Sequence, residues 1–197
     1  MREEEIRRRL NNRAWEYLMF ADEEEAQEKK QKSCCFTGHR PHLFPWGDNM
    51  NDAGAQALKK RLEQAIEEAI RDGYTEFICG GALGVDTWAA ALVLKAKDRY
   101  PHIRLTLALP WADHNRQVVD AEYLWVKQLA DEKIVVSRQQ GRAAFLKRDR
   151  WMVDHSSRII AVYDERSKLK GGTYRTLQYA RNQNIQIVQI NWMDLCG

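Results

Sequence analysis

The sequence predicts an α/β protein with a Rossmann-like, doubly wound and mainly parallel sheet that carries helices on both faces. Short apolar segments such as 159–163 are typical of strands that are buried on both sides. Each of these segments is followed by a stretch with helical spacing of apolar residues, and this alternation indicates a parallel sheet. The 197 residues suffice for one domain with an appendage.

The predicted strands and helices alternate from residue 33 onward. Strands are expected at 33–37, 76–79, 103–109, 133–137, 158–163 and 185–190. Helices are expected at 52–73, 85–100, 114–131, roughly 141–156 and 172–183. Asp52 is a candidate N-cap for the first of these helices, and Gly73 is its stop signal.

Residues 1–32 are predicted to form an extra, charged amphipathic helix before a nucleotide-binding domain at residues 33–197. The segment has no glycine or proline, and Ile6, Leu10, Ala14 and Leu18 recur at four-residue spacing. Such a helix packs on its own domain or binds a protein partner or a second copy. The apolar stripe is shorter than the several heptads that a coiled coil needs, so packing of the helix on its own domain is favoured.

The composition narrows the class of protein. The 31 basic and 28 acidic residues nearly balance, which argues against a generally basic, DNA-coating surface but leaves room for a local basic patch. No apolar run approaches the roughly 20 residues of a membrane span and no signal-peptide core is found, so a cytoplasmic protein without membrane contact is predicted. The cysteines form no C-x-x-C pair and are expected to be buried thiols, and no metal site is predicted.

Ligands of doubly wound sheets bind outside the carboxyl ends of the strands, so polar residues just after each strand are candidate site residues. The first strand is followed by Thr37, Gly38, His39 and Arg40. Glycine permits a close backbone approach, arginine offers a planar fork for phosphate or carboxylate, and histidine can donate or accept a hydrogen bond.

The second strand is followed by a glycine-rich turn that opens a helix. Gly80 and Gly81 leave the strand, Gly84 precedes the helix, and Asp86 lies in its first turn. Free backbone N–H groups at a helix start suit an anion. Asp86 either stabilises the helix start or accepts hydrogen bonds from a ribose hydroxyl or a base.

Later strands contribute further candidates to the same edge. Trp111 follows the third strand as a possible aromatic wall for a base. Tyr163 and Asp164 follow the fifth strand, and Arg148 lies on the helix before it. A second glycine-led helix start, with a lysine beside it, is formed by Lys170, Gly171, Gly172 and Thr173. Two such turns that converge on one edge predict a single phosphate-binding site.

The assembled motifs resemble those of the YpsA-like family in the SLOG superfamily, which is related to DprA and to LOG-type proteins. The motifs are "CCFTGHRP" (34–41), "GGALGVDTWAA" (80–90), "ALPW" (108–111), "RDRWMVDHSSRIIAVYD" (148–164) and "GGTYRTLQYA" (171–180). The resemblance implies a pocket for a nucleotide or a nucleotide-derived ligand of the NAD or ADP-ribose type, with no other cofactor. It also implies a role in bacterial cell division or stress responses. It covers residues 33–192 and leaves the N-terminal helix unassigned.

The departure from the LOG-type pattern favours binding over catalysis. LOG-type enzymes cleave the N-glycosidic bond of nucleoside monophosphates and read P-G-G-x-G-T-x-x-E here, whereas this chain has Lys170 for the proline and Gln178 for the glutamate. A neutral amide supplies no charge to an oxocarbenium-like transition state. A nucleotide hydrolase that uses Asp86 or Asp164 is the alternative, followed by single-stranded DNA binding of the DprA type.

Overall fold

A computed structural model of the chain describes residues 22–168 and 170–195, and its centre is a six-stranded parallel sheet. The strands are β1 (Ser33–Gly38), β2 (Glu76–Cys79), β3 (Arg104–Leu109), β4 (Glu132–Val135), β5 (Arg158–Val162) and β6 (Gln186–Ile190). They lie in the order β4-β3-β2-β1-β5-β6, and every neighbouring pair is parallel. The order reverses between β1 and β5, which confirms the predicted doubly wound, Rossmann-like fold.

Helices cover both faces of this sheet. Helix α1 is described at residues 22–31. The other helices are α2 (Ala53–Arg71), α3 (Val85–Ala96), α4 (Ala121–Leu129), α5 (Arg142–Asp154) and α6 (Gly172–Asn182), with short 3₁₀ turns at Pro41–Leu43 and Trp192–Leu195. Helices α2, α3 and α4 pack side by side on one face, and α5 and α6 pack together on the other. Right-handed crossovers place them there, because the chain moves outward from β1 to β4 and then returns past β1 to β5.

Helix α2 has the ends that the sequence predicts. The Asp52 carboxylate accepts hydrogen bonds from the backbone N–H groups of Gly54 at 2.8 Å and Ala55 at 3.4 Å. Gly73 ends the helix with a φ of +92°, which glycine adopts without strain. An N-cap of this kind contributes about 1 kcal/mol to stability.

Helix α4 begins later than predicted. The sequence pattern indicated a helix from residue 114, but residues 111–117 form turns and the helix starts at Ala121. The Asp120 side chain caps this start by accepting from the Tyr123 N–H at 2.7 Å, and Asn115 has a left-handed φ of 58°. The prediction was wrong because the apolar spacing continues through the turn while the capping aspartate lies inside it.

The core lies on both sides of the sheet. Cys34 and Cys35 are both fully buried on β1 and belong to the apolar clusters of opposite faces, as strand geometry requires. Cys79 is also a buried free thiol, and desolvation raises the pKa of Cys35 to about 12. The prediction of buried thiols is therefore confirmed for these three cysteines. Three of the tryptophans are also buried, namely Trp46, Trp88 and Trp192.

The described part of α1 precedes β1 directly and is largely exposed. Lys29 forms an ion pair with Glu132 at 3.6 Å, and the Ser33 hydroxyl donates to the Lys29 carbonyl at 2.7 Å. The apolar stripe from Ile6 to Leu18 lies outside the described residues, so the domain boundary after residue 32 and the partner role of this helix remain predictions. Within the described ranges, no helix combines the length and the apolar character that a membrane span requires.

Candidate functional site

The predicted ligand edge carries a cavity of about 340 Å³ at the point where the strand order reverses. Four segments line it: the end of β1, the loop before α3, helix α5 and the start of α6. Nine predicted site residues lie in its wall, namely Thr37, Gly38, His39, Arg40, Asp86, Arg148, Gly171, Gly172 and Thr173. The strand-end rule therefore locates a concave site to which distant parts of the sequence contribute.

The start of α6 forms one end of the cavity. Gly171 is the N-cap residue, and no side chain in the described part of the chain caps this helix. A Cβ added at Gly171 or Gly172 would meet nothing within 4 Å, so open space lies over these backbone groups. Lys170 and Arg40 stand in the same wall. Uncapped N–H groups, the positive end of the helix dipole and two cations together favour a phosphate or carboxylate.

A buried ion pair forms the floor of the cavity. Arg148 is only 5% exposed, and its Nη1 lies 3.2 Å from the Asp86 carboxylate. Its Nε lies 2.8 Å from the Asp149 carboxylate without hydrogen-bond geometry, so this N–H finds no acceptor among the described residues. Asp86 also accepts from the Ala82 N–H at 3.3 Å, which closes the glycine-rich loop. Asp86 thus anchors both the loop and α5.

The first glycine-rich turn is occupied by the protein itself. A Cβ at Gly80 would lie 1.4 Å from Arg148 Nη1, so the guanidinium fills the space over this glycine. Gly81 and Gly84 have φ values of +63° and +91°, and a Cβ at Gly84 would lie 2.7 Å from the His39 carbonyl. These three glycines shape the loop and do not line the cavity.

His39 is buried in the cavity wall and is 4% exposed. Its ring packs against Phe44, Tyr163 and Trp192 at centroid distances between 5.7 and 6.4 Å. Burial lowers the pKa of His39, which favours the neutral ring near pH 7. Its Nε2 atom has no hydrogen-bond partner within residues 22–168 and 170–195. A buried polar atom without a partner costs free energy unless a ligand or water satisfies it.

Asp149 is a cavity residue that the sequence reasoning missed. It lies next to Arg148 on α5 and lines the cavity together with the start of α6. Desolvation raises its pKa, the nearby Asp86 raises it further, and Arg148 and a hydrogen bond to Thr176 oppose the shift. The motif "RDRW" contains Asp149, but one residue inside a charged helical stretch carries no signal of burial.

Besides the three glycines of the first turn, three further predicted site residues lie outside the cavity wall. Trp111 packs edge-on against His114 and Phe145 and does not line the cavity. Tyr163 is fully buried behind His39. Asp164 is also buried, and Arg166 donates to both of its carboxylate oxygens at 2.8 and 2.5 Å, which lowers its pKa. Because this carboxylate is held as a partner of arginine away from the cavity, it is a poor acid or base.

Gln178 also lies outside the cavity. It belongs to a groove of about 410 Å³ between α5 and α6, where Asp149 is the residue that both depressions share. A carboxylate at position 178 would therefore face this groove and not the cavity.

A larger cavity of about 550 Å³ lies at the opposite edge, between α1 and the amino ends of β1 to β4. Its wall holds Lys29 and the carboxylates of Glu76 and Glu132, but no glycine-led helix start. The smaller cavity is therefore the better candidate for an anionic ligand. No group of three or more metal-ligating side chains is found in residues 22–168 and 170–195.

Comparison with known proteins agrees with the fold and the motifs. The model of the YspA SLOG family (YpsA) matches residues 34–195. A UPF0398 protein of Halalkalibacterium halodurans is 30% identical over 139 residues, which cover 68% of this chain and 73% of that protein. The SPbeta prophage-derived protein YoqJ of Bacillus subtilis is 34% identical over 140 residues, which cover 63% of this chain and 80% of that protein.

Two solved structures share the fold at low identity. DNA processing protein A of Helicobacter pylori, which binds single-stranded DNA, superposes with a TM-score of 0.56 at 17% identity over 85% of this chain and 68% of that chain. DNA processing protein A of Streptococcus pneumoniae gives 0.54 at 14% identity, over 82% of this chain and 51% of its own. At such identities the likeness shows the fold alone. The family model, by contrast, spans nearly all of the chain from β1 to the last turn, and the chain therefore belongs to the YpsA family of SLOG proteins.

Proposed function

We propose that this protein binds a nucleotide or nucleotide-derived ligand, of the NAD or ADP-ribose class, in the cavity at the start of α6. The observation that carries the proposal is the uncapped, glycine-led start of α6, which opens into a concave site beside Lys170 and Arg40. His39 in the same wall supports it, because a buried Nε2 without a hydrogen-bond partner among the described residues adds a polar group to this wall. Membership of the SLOG family agrees with a nucleotide-related role.

The direct test is calorimetry with AMP, ADP-ribose and NAD on the full chain and on a Gly172→Asp variant. Nothing lies within 4 Å of a Cβ at Gly172, so the new side chain fits, and a carboxylate stabilises a helix start. The same carboxylate occupies the anion site. We expect the variant to fold normally and to lose nucleotide binding.

Lys170→Ala supplies a second test, with Lys168→Ala as its matched control. Lys168 is exposed and does not line the cavity. Losing a charge-assisted contact to phosphate should weaken binding about tenfold or more in Lys170→Ala and leave the control unchanged. Equal affinities in wild type, Gly172→Asp and Lys170→Ala would refute the proposed site.

A nucleotide hydrolase is the second candidate function, and Asp149 is the observation that favours it. Desolvation raises the pKa of this cavity carboxyl, and a raised pKa suits a general acid that donates a proton to a leaving base. The assay is release of free base from nucleoside monophosphates, NAD or ADP-ribose. Release that disappears in Asp149→Asn supports hydrolysis, and binding without any release contradicts it.

Single-stranded DNA binding is the third candidate, because DNA processing protein A of Helicobacter pylori shares the fold and binds single-stranded DNA. Arg142 and Arg150 add exposed positive charge along α5. Binding through phosphate contacts would weaken steeply as salt rises, and absence of binding at low salt would exclude this function. The part in cell division or stress responses, and the formation of a homo-oligomer, remain predictions from the sequence.

A further inference from the structure

We propose that the ligand has two nucleotide units, one in the cavity and the second in the groove between α5 and α6. This inference rests on the proposed function, and it concerns the size and chemistry of the ligand. Two kinds of ligand have this composition, because the second nucleoside phosphate can be joined to the first either through a pyrophosphate or through a 3′,5′-phosphodiester.

The groove is a second depression of about 410 Å³ beside the first. Helix α5 contributes Leu146, Asp149 and Arg150, and α6 contributes Tyr174, Arg175, Thr176, Gln178, Tyr179 and Asn182. The cavity itself, at about 340 Å³, lies at the low end of the roughly 300–1,000 Å³ of small-molecule sites. A site of that size suits one nucleotide unit, so a longer ligand needs the adjoining space.

The two depressions are joined at two points. Asp149 lines both of them. Lys170 belongs to the cavity wall and Tyr174 to the groove, and the Lys170 ammonium lies 4.2 Å from the centre of the Tyr174 ring. A ligand whose phosphate is held at the start of α6 therefore reaches the groove past Asp149 and Tyr174, along the first turns of α6.

The side chains of the groove suit a base and a phosphate. Arg150 and Arg175 are exposed cations, and the Arg150 guanidinium lies 5.4 Å from the centre of the Tyr179 ring. The Tyr179 hydroxyl donates to Asp154 at 2.8 Å, which fixes the orientation of this ring. A base can stack on an aromatic ring, and side-chain amides can pair with the edge of a base. Gln178 and Asn182 supply those amides.

The experiment compares one-unit and two-unit ligands by calorimetry: AMP, NAD, and the 3′,5′-linked dinucleotide pdApdA. Arg175→Ala and Gln178→Ala change the groove and leave the cavity wall intact, and Arg142→Ala is the control because this exposed arginine lines neither depression. We expect at least one two-unit ligand to bind about tenfold more tightly than AMP. We expect Arg175→Ala to remove that advantage without changing the affinity for AMP, and the control to keep it.

The three ligands distinguish the two linkages, and they also distinguish failure of the two-unit ligand from failure of the proposed nucleotide site. A gain for NAD alone assigns the pyrophosphate linkage, and a gain for pdApdA alone assigns the phosphodiester linkage. Equal affinities for all three ligands, or a gain that persists in Arg175→Ala and Gln178→Ala, would overturn the two-unit ligand while the cavity stands as a nucleotide site. Failure of AMP and of both longer ligands to bind would overturn the proposed function itself.

Discussion

Gly84→Ala tests whether the first glycine-rich turn stabilises the fold by packing closely against the segment that follows β1. Gly84 has φ +91° and ψ −134°, a region that only glycine occupies readily. A Cβ there would lie 2.7 Å from the His39 carbonyl oxygen and 2.9 Å from Pro41 Cδ. Both contacts are to the stiff segment that follows β1, so neither atom can turn away as the end of a flexible side chain would.

The expected cost combines two effects. Backbone strain at such a φ and ψ costs about 1–3 kcal/mol, and forcing an extra carbon into a packed region costs about 1–3 kcal/mol. Partial relaxation leaves a total of about 2–5 kcal/mol. With a urea m-value of about 2 kcal/mol/M, the unfolding midpoint should fall by about 1–2.5 M. The His39 and Arg40 segment would shift as well, so nucleotide binding should weaken.

Urea unfolding followed by circular dichroism measures this effect, and Gly171→Ala is the matched control. Gly171 has an ordinary φ of −81°, and a Cβ there meets nothing within 4 Å. The control should therefore change the free energy of unfolding by less than about 0.5 kcal/mol. If Gly84→Ala unfolds at the same urea concentration as wild type, the close contact between Gly84 and the segment that follows β1 does not contribute to stability.

Three further predictions concern thiols and titrating groups. In a Cys196→Ser variant, Cys34, Cys35 and Cys79 should not react with a disulfide reagent until the protein unfolds, because their thiols are buried. Fast reaction of the folded variant would contradict this prediction. Asp164→Asn should lower the free energy of unfolding by about 1–3 kcal/mol at pH 7. Because the pKa of Asp164 is lowered by its arginine partner, this difference should shrink as the pH falls below about 4, and a constant difference would refute the contact. Burial lowers the pKa of His114 to about 4 in the folded protein, whereas the ordinary value of about 6.5 applies in the unfolded chain. As the pH falls from about 6.5, His114 therefore takes up a proton in the unfolded chain before it does so in the folded protein. Stability should then fall between those pH values, and the fall should be smaller in His114→Gln; an NMR titration of His114 near pH 6.5 would contradict the assignment.

The fold, and the sheet edge at which the cavity is found, could be predicted because both follow from local signals. The alternation of strands and helices, the cap at Asp52 and the glycine at the start of α6 are each visible within a few residues of sequence. Because ligands of such sheets bind at the carboxyl ends of the strands, residues that follow different strands are expected at one edge of the sheet.

The rest depends on contacts between distant residues. Arg148 comes 68 positions after Gly80, and only the packing of α5 against the sheet places its guanidinium over that glycine. The same packing leaves Asp149 half-buried. Asp164 was a reasonable candidate at a strand end, but the turn that follows brings Arg166 back onto it. No pattern of spacing in the sequence encodes these pairings.

The two glycine-rich turns therefore have different tasks, although the sequence presents them as equivalent. At the first turn the positive charge over the glycine comes from Arg148, which is already paired with Asp86. At the second turn the space over Gly171 and Gly172 is open and the helix start is uncapped. Of these two glycine-led helix starts, only that of α6 opens into the cavity, and the first turn holds α5 and the segment after β1 around it. The position of the LOG-type glutamate follows neither turn: Gln178 stands there in this chain, and it lies in the adjoining groove and not in the cavity.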